Sequence, residues 1–206
     1  RELNLNLKER VAKLKITHNL EEIEKIINAL RDRRKLRKYQ PEQFEKLLAV
    51  VLKFINDEVQ IKPNYPVDDD GEPINHAPGN KADIECFYQT FKAICEGTLN
   101  RSRLQWVQEG QPVMRHLRDF ENQYCNGDIF CLFIAPRIHR DTYSQFWISV
   151  KYEYDGEPQK IVPLTTEQLA DILKTILNLL RNGEKYSHRE LCSLYRSFFD
   201  ETKRLN

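Results

Sequence analysis

Residues 129–136 read IFCLFIAP, eight consecutive positions without a charged side chain. The run is far too short for a membrane span, which needs about 20 apolar residues, and no other apolar stretch of the chain approaches that length. Its length and its aromatic and branched side chains fit a β-strand buried on both faces, as central strands with parallel neighbours are. Such a strand needs a layer of structure on each side. The chain is therefore expected to be α/β, a small mixed sheet covered by helices on both faces.

The flanking segments supply those helices. In NLEEIEKIINALRDR, Leu20, Ile23, Ile27 and Leu30 recur at helical spacing, with Asn19 as N-cap and Glu22 as the capping-box acid. PEQFEKLLAVVLKFINDE places Phe44, Leu47, Leu48, Val51, Leu52 and Ile55 on one face and starts with Pro41, where a missing N–H costs nothing. Residues 1–58 as a whole read as helical. A helix is expected from near Pro112, another within HRDTYSQFWISVKYEYDG that leads into a turn, a third from Thr165 or Thr166 to Gly183, and a last one from about Ser187 to Leu205. KIVPLT reads as a short strand. Residues 1–38 form an expected N-terminal helical appendage or connector, and 39–206 the main domain.

Between the first two helices, RDRRKLRK (31–38) has six Lys or Arg among eight residues. This is either a solvated helix end, whose cations suit the C-terminal dipole, or a patch that contacts phosphates. Residues 62–81 hold four Pro and two Gly and read as a long loop, of the kind that frames sites. Its DDDGE lacks the alternating acids of a calcium loop, so a turn with Gly71 at positive φ is expected instead.

DIECFY and FKAICEGTL flank Gln89-Thr90 as the two arms of a hairpin. Each step back along one arm matches a step forward on the other, so Asp83 falls opposite Glu96. Glu96 and Thr98 share a face, as do Lys92 and Ile94 with them. Cross-strand neighbours have Cβ atoms about 4.5–5.5 Å apart. Two carboxylates about 4 Å apart at an effective dielectric of 20 repel by roughly 4 kcal/mol. Protonation, a neighbouring Arg such as Arg101, Arg103 or Arg115, or a divalent cation would relieve this. Glu85 shares the face of Asp83 and reads as a spare or supporting acid rather than a ligand.

The net charge is only +1, and the balance of 40% hydrophobic and 31% charged residues is that of an ordinary globular chain. Five Cys without C-x-x-C spacing argue against a zinc ribbon or redox motif and fit reduced, buried thiols in a cytoplasmic protein. No signal sequence is visible, and the absence of an initiator Met suggests a piece of a longer protein.

Asp83, twelve intervening residues, Glu96 and then Thr98 resembles the PD-(D/E)xK nuclease signature with Thr at the usual Lys position. QFEKLL, DDDGEPINHAPGNKADIE, EGTL, QEGQPVMRHL, LFIAPRIHRDT and IVPLTTEQL, spread over residues 40–172, resemble more narrowly the AlwI-type restriction endonucleases, a group of type IIS and nicking enzymes. The resemblance implies a restriction-endonuclease-like core and a bacterial or archaeal, cytoplasmic, type II site-specific deoxyribonuclease. It further implies Mg²⁺ as cofactor, with Mn²⁺ as substitute, and double-stranded DNA as substrate. Asp83 and Glu96 stand at the metal-binding acids, and Glu45 at the acid of the first core helix. Thr98 stands at the third signature position and cannot supply a positive charge. Lys92, Arg115 and His116 are the candidates to replace it, with Glu109 a further site residue. Arg33, Arg34, Lys35, Arg101, Arg103 and Arg115 would contact the DNA backbone. A recognition domain or second subunit would lie outside this chain, with a transient dimer as a further expectation and no membrane partner. The competing expectations are a non-enzymatic interaction module with a structural acidic network, and a repair nuclease on the same fold.

Overall fold

The computed structural model describes residues 20–55, 60–184 and 187–204. Asn19, expected as an N-cap, lies outside them, as do residues 1–19 of the expected N-terminal appendage.

Helix α1 covers 20–31 and buries Ile23, Ile26, Ile27 and Leu30. The basic run does not continue it. Asp32 breaks the helix and caps a single further turn, α2 (Arg33–Leu36), by accepting from the N–H groups of Arg34 and Lys35. Leu36, the run's one apolar residue, is fully buried and holds that turn to the core while its cations stay outside. Arg31 and Arg33 pair with Asp171 and Glu167 on a distant helix. Helix α3 (Pro41–Ile55) begins at Pro41 as expected and buries Phe44, Leu48, Val51, Leu52 and Ile55.

Five strands form one mixed sheet in the order β1 (Gln60–Pro63), β2 (Ile84–Phe87), β3 (Phe91–Gly97), β4 (Asp128–Ala135), β5 (Ile161–Thr165). β2 runs antiparallel to both of its neighbours, β1 and β3, and β3, β4 and β5 are parallel. The eight-residue apolar run supplies β4, which has parallel neighbours on both sides and is buried from its second residue onward. β1 corrects the expected loop: residues 62 and 63 belong to an edge strand, where Pro63 is tolerated. Gly71 takes φ 79° in the acidic turn that follows.

Two apolar layers sandwich the sheet. One is built from α1, α3, α6 (Thr166–Arg181) and part of α7 (His188–Arg204), against Ile84, Ala93, Cys95, Phe130 and Leu132. Residues of α1 and α2 are thus part of the main core. The other is built from α4 (Gln111–Gln123) and α5 (Arg140–Lys151) against Ile94, Cys131 and Phe133. Thr165 and Gln168 form a reciprocal capping box at the start of α6, and Gly183 ends that helix at φ 73°. Cys86, Cys95, Cys131 and Cys192 are buried free thiols and Cys125 is exposed. Among the described residues no helix is long and apolar enough to cross a membrane.

Candidate functional site

The β2–β3 hairpin has the register read from its turn. Ile84 pairs with Cys95 and Glu85 with Ile94, so Asp83 and Glu96 stand opposite each other one step beyond the ladder. The Asp83 carboxylate accepts the Gly97 N–H at 2.7 Å. Gly97 also lets α3 come close: a Cβ there would lie 2.4 Å from Leu48 and 3.3 Å from Phe44. That close approach carries Glu45, on the same helix, to the edge of the hairpin. Glu45 is 4% exposed and accepts the Ala77 N–H at 3.0 Å, which ties the Pro-rich loop over the site.

Thr98 and α4 complete the arrangement. Thr98 is buried, and its hydroxyl donates to Glu109 at 3.1 Å while accepting from the Asn100 N–H. Glu109 sits in a π-helical turn, Trp106–Gly110, that leads directly into α4. Gly110 permits this turn because Trp106 packs where a Cβ would otherwise stand. The sequence does not announce this turn, since no residue pattern distinguishes it from a loop. One helical stretch later, His116 meets Glu96 through Nδ1 at 2.8 Å and Gly79 through Nε2 at 3.3 Å. A carbonyl only accepts, so Nε2 carries a hydrogen.

Glu45, Asp83, Glu96, Thr98, Glu109 and His116 all line one cleft of about 490 Å³. Burial, followed by the Asp83 charge, pushes Glu45 up to about 8. Burial and the charge of Glu96 raise Asp83 well above the ordinary carboxylate range, and burial raises Glu96 likewise. Burial also raises Glu109 and lowers His116. The Glu96–His116 contact suits an imidazolium–carboxylate pair by distance. Burial of both partners instead favours the neutral form, in which Glu96 carries the proton and donates it to Nδ1. We take the neutral form for the protein by itself, because a cation beside Glu96 would be needed to stabilise its carboxylate.

Among the described residues no Lys or Arg is ion-paired with Glu45, Asp83, Glu96 or Glu109. Nor do three or more His, Cys, Asp or Glu side chains close into a ready-made metal-ligand group. A hard divalent ion such as Mg²⁺ keeps several waters and needs only one or two protein carboxylates. Acids that have no Lys or Arg partner and would repel one another once ionised therefore fit such an ion, with Asp83 and Glu96 as the adjacent pair.

Several expected residues fall elsewhere. Lys92 shares the face of Glu96 but lies four residues back, roughly 13 Å at about 3.3 Å per residue. Its ammonium binds the Asn126 carbonyl and lies over the Tyr124 ring, so it does not replace the signature Lys. Glu85 is held by Lys62 at 3.0 Å and Asn64 at 3.3 Å, outside the cleft lining. Arg115 is exposed on α4 beside His116 and also does not line the cleft. Arg33, Arg34 and Lys35 are exposed on α2, and Arg101 and Arg103 stand on the segment after β3. The Lys or Arg side chain that does line the cleft among the described residues is Lys81, two positions before Asp83. Nothing in the periodicity of its loop singled it out.

The fold is shared with a known structure. The small subunit of the heterodimeric restriction endonuclease R.BspD6I superposes with a TM-score of 0.71 at 22% identity, covering 88% of this chain and 94% of that one. A search of curated protein sequences returns no match. The profile of one sequence family, described as AlwI restriction endonuclease, matches residues 1–172. With the match spanning most of its length, the chain belongs to the AlwI restriction endonuclease family.

Proposed function

We propose that this protein is the cleavage domain of a type IIS or nicking restriction enzyme, a Mg²⁺-dependent endonuclease that hydrolyses phosphodiester bonds in double-stranded DNA. The observation that carries the reading is the cleft in which Glu45, Asp83, Glu96 and Glu109 converge without an ion-paired Lys or Arg among the described residues. A structural ion network would give each acid its own cation, as Asp128 has in Lys160 and Arg196.

Asp83 and Glu96 would hold the ion. When bound, a divalent cation lowers the pKa of water and stabilises charge on phosphate oxygens. Asp83 is oriented by the Gly97 N–H and Glu45 by the Ala77 N–H, so neither carboxylate has to reorganise on binding. In the neutral form Glu96 holds the proton and donates it to His116 across 2.8 Å. As Glu96 becomes a carboxylate, His116 can accept that proton at Nδ1 and become the cation the signature position lacks. Thr98 orients Glu109 through its hydroxyl, and Lys81 offers a positive charge at the cleft wall for a phosphate oxygen.

The structural neighbour is one subunit of a heterodimeric enzyme. By the same reading, this chain works with a second polypeptide that supplies DNA recognition, and alone it cuts weakly or without specificity. The test is plasmid cleavage with Mg²⁺ or Mn²⁺ by the wild type, Asp83→Ala and Glu96→Ala. Loss in both variants with folding retained supports the reading, and nicking that survives both overturns it. For a wild type inactive by itself, calorimetry with Mn²⁺ decides: heat abolished by Asp83→Ala supports the site, and no heat from the wild type overturns it.

A further inference from the structure

Gln105 is fully buried, and its amide is committed to two different segments. Nε2 donates to the Asn100 carbonyl at 2.7 Å and to the Arg137 carbonyl at 2.9 Å. Oε1 accepts the His139 N–H at 2.8 Å. Asn100 follows β3, and Arg137 and His139 follow β4, its parallel neighbour. One side chain therefore fastens together the two segments that leave the carboxyl ends of adjacent strands. Ligands in open α/β sheets collect at that end.

The joined segments are strongly basic. Residues 100–107 and 137–143 contain four Arg and one Asp. Arg103, Arg137 and Arg140 are exposed. Asp141 lies 3.8 Å from Arg103 and 3.4 Å from Arg140, spacing them along the surface without matching their number. Asn100 itself lines the acidic cleft, so the basic ground begins where the acids end. On its other flank it reaches Arg33 and Arg37, whose charges, after burial, hold the Arg101 guanidinium below its ordinary value. A molecule with a chain of phosphates would find cations here on one side of the acids. A protein partner would gain little from burying so many like charges.

We propose that Arg101, Arg103, Arg137 and Arg140 form a ledge for the phosphate backbone of duplex DNA beside the acidic cleft, and that Gln105 is the positioning residue that holds its two halves in one plane. The proposal rests on the endonuclease reading and extends it to Arg137, Arg140 and Gln105.

Binding of a labelled random-sequence duplex to the full chain, in calcium-containing buffer across a salt series, tests it. Each phosphate contact contributes about 0.9 to the slope of log affinity against log salt. Arg137→Ala/Arg140→Ala should lower that slope by about 2 and weaken binding roughly tenfold at moderate salt. Gln105→Leu removes no charge, yet should lower the slope too, because the two halves no longer track one backbone. Lys174→Ala, on the exposed side of α6, is the control and should change neither quantity. A slope in the double Arg variant equal to that of the control overturns the ledge, and is what a protein-docking face would give. A slope in folded Gln105→Leu equal to wild type overturns the role of Gln105. Wild-type protein with no salt-dependent binding overturns the ledge and the endonuclease reading together; salt-dependent wild-type binding with unchanged variants overturns the ledge alone.

Discussion

The Asp83 carboxylate accepts the N–H of Gly97, the residue after Glu96 on the neighbouring strand, at 2.7 Å. The bond crosses the hairpin at the point where two acids face each other. It orients Asp83 without supplying a countercharge, so ionising both acids in the folded state would set two carboxylates against each other.

Removing one charge should therefore separate stability from activity. Asp83→Asn keeps the shape and removes a buried carboxyl that resists ionisation, so thermal stability should hold, or rise by about 1 kcal/mol at alkaline pH. Cleavage should fall by about 100-fold or more, because the developing charge loses its stabilising pair. Thermal melts and plasmid nicking on the same preparation measure both. A marked fall in melting temperature would show instead that Asp83 acts as a structural acceptor.

Stability should depend on pH in a defined direction. Glu45 titrates at about 8 in the folded protein, against an ordinary value of 4.5. Its folded form binds the proton more tightly, so its contribution is most favourable below 4.5 and is lost as pH rises through about 8. Asp83 and Glu96, shifted the same way, reinforce this. In EDTA the melting temperature should fall by several degrees, on the order of 2–4 °C per kcal/mol, between pH 5 and pH 8.5. Mg²⁺ should flatten the decline. A melting temperature that rises across that window contradicts the acid cluster.

Gly97→Ala tests the close approach of α3. The added methyl would meet Leu48 at 2.4 Å, so the helix or its side chains must shift. A loss of about 1–3 kcal/mol in stability is expected, with cleavage reduced beyond what the remaining folded fraction explains, because Glu45 moves with the helix. Urea melts and kcat on the folded fraction check this.

Thr98 should be replaceable by Ser but not by Val. Thr98→Val leaves Glu109 without its donor and the Asn100 N–H without its acceptor, at about 1–3 kcal/mol. Thr98→Ser restores both bonds. Equal activity in the two variants would remove the hydroxyl from the account.

The sequence was informative where one physical period decides the structure. The apolar run 129–136 needed cover on both faces, and β4 has it. The hairpin register follows from the two-residue alternation and the turn at Gln89-Thr90, and it sets Asp83 against Glu96. It was misleading where a shared face was read as proximity. Lys92 shares the side of Glu96 but lies too far along the strand.

The local frame is legible in the chain: the buried strands, the amphipathic helices, and the acids placed across one hairpin. Alternation and helical spacing are properties of neighbouring residues, so the chain states them directly. Which groups join those acids follows from packing between segments. Glu45 arrives because Gly97 admits α3, Glu109 because a π-helical turn aims it at Thr98, and His116 because α4 packs beside β3. Lys81 arrives with the Pro-rich loop. These groups come from segments far apart in the chain, and their meeting depends on packing distances that no single segment encodes.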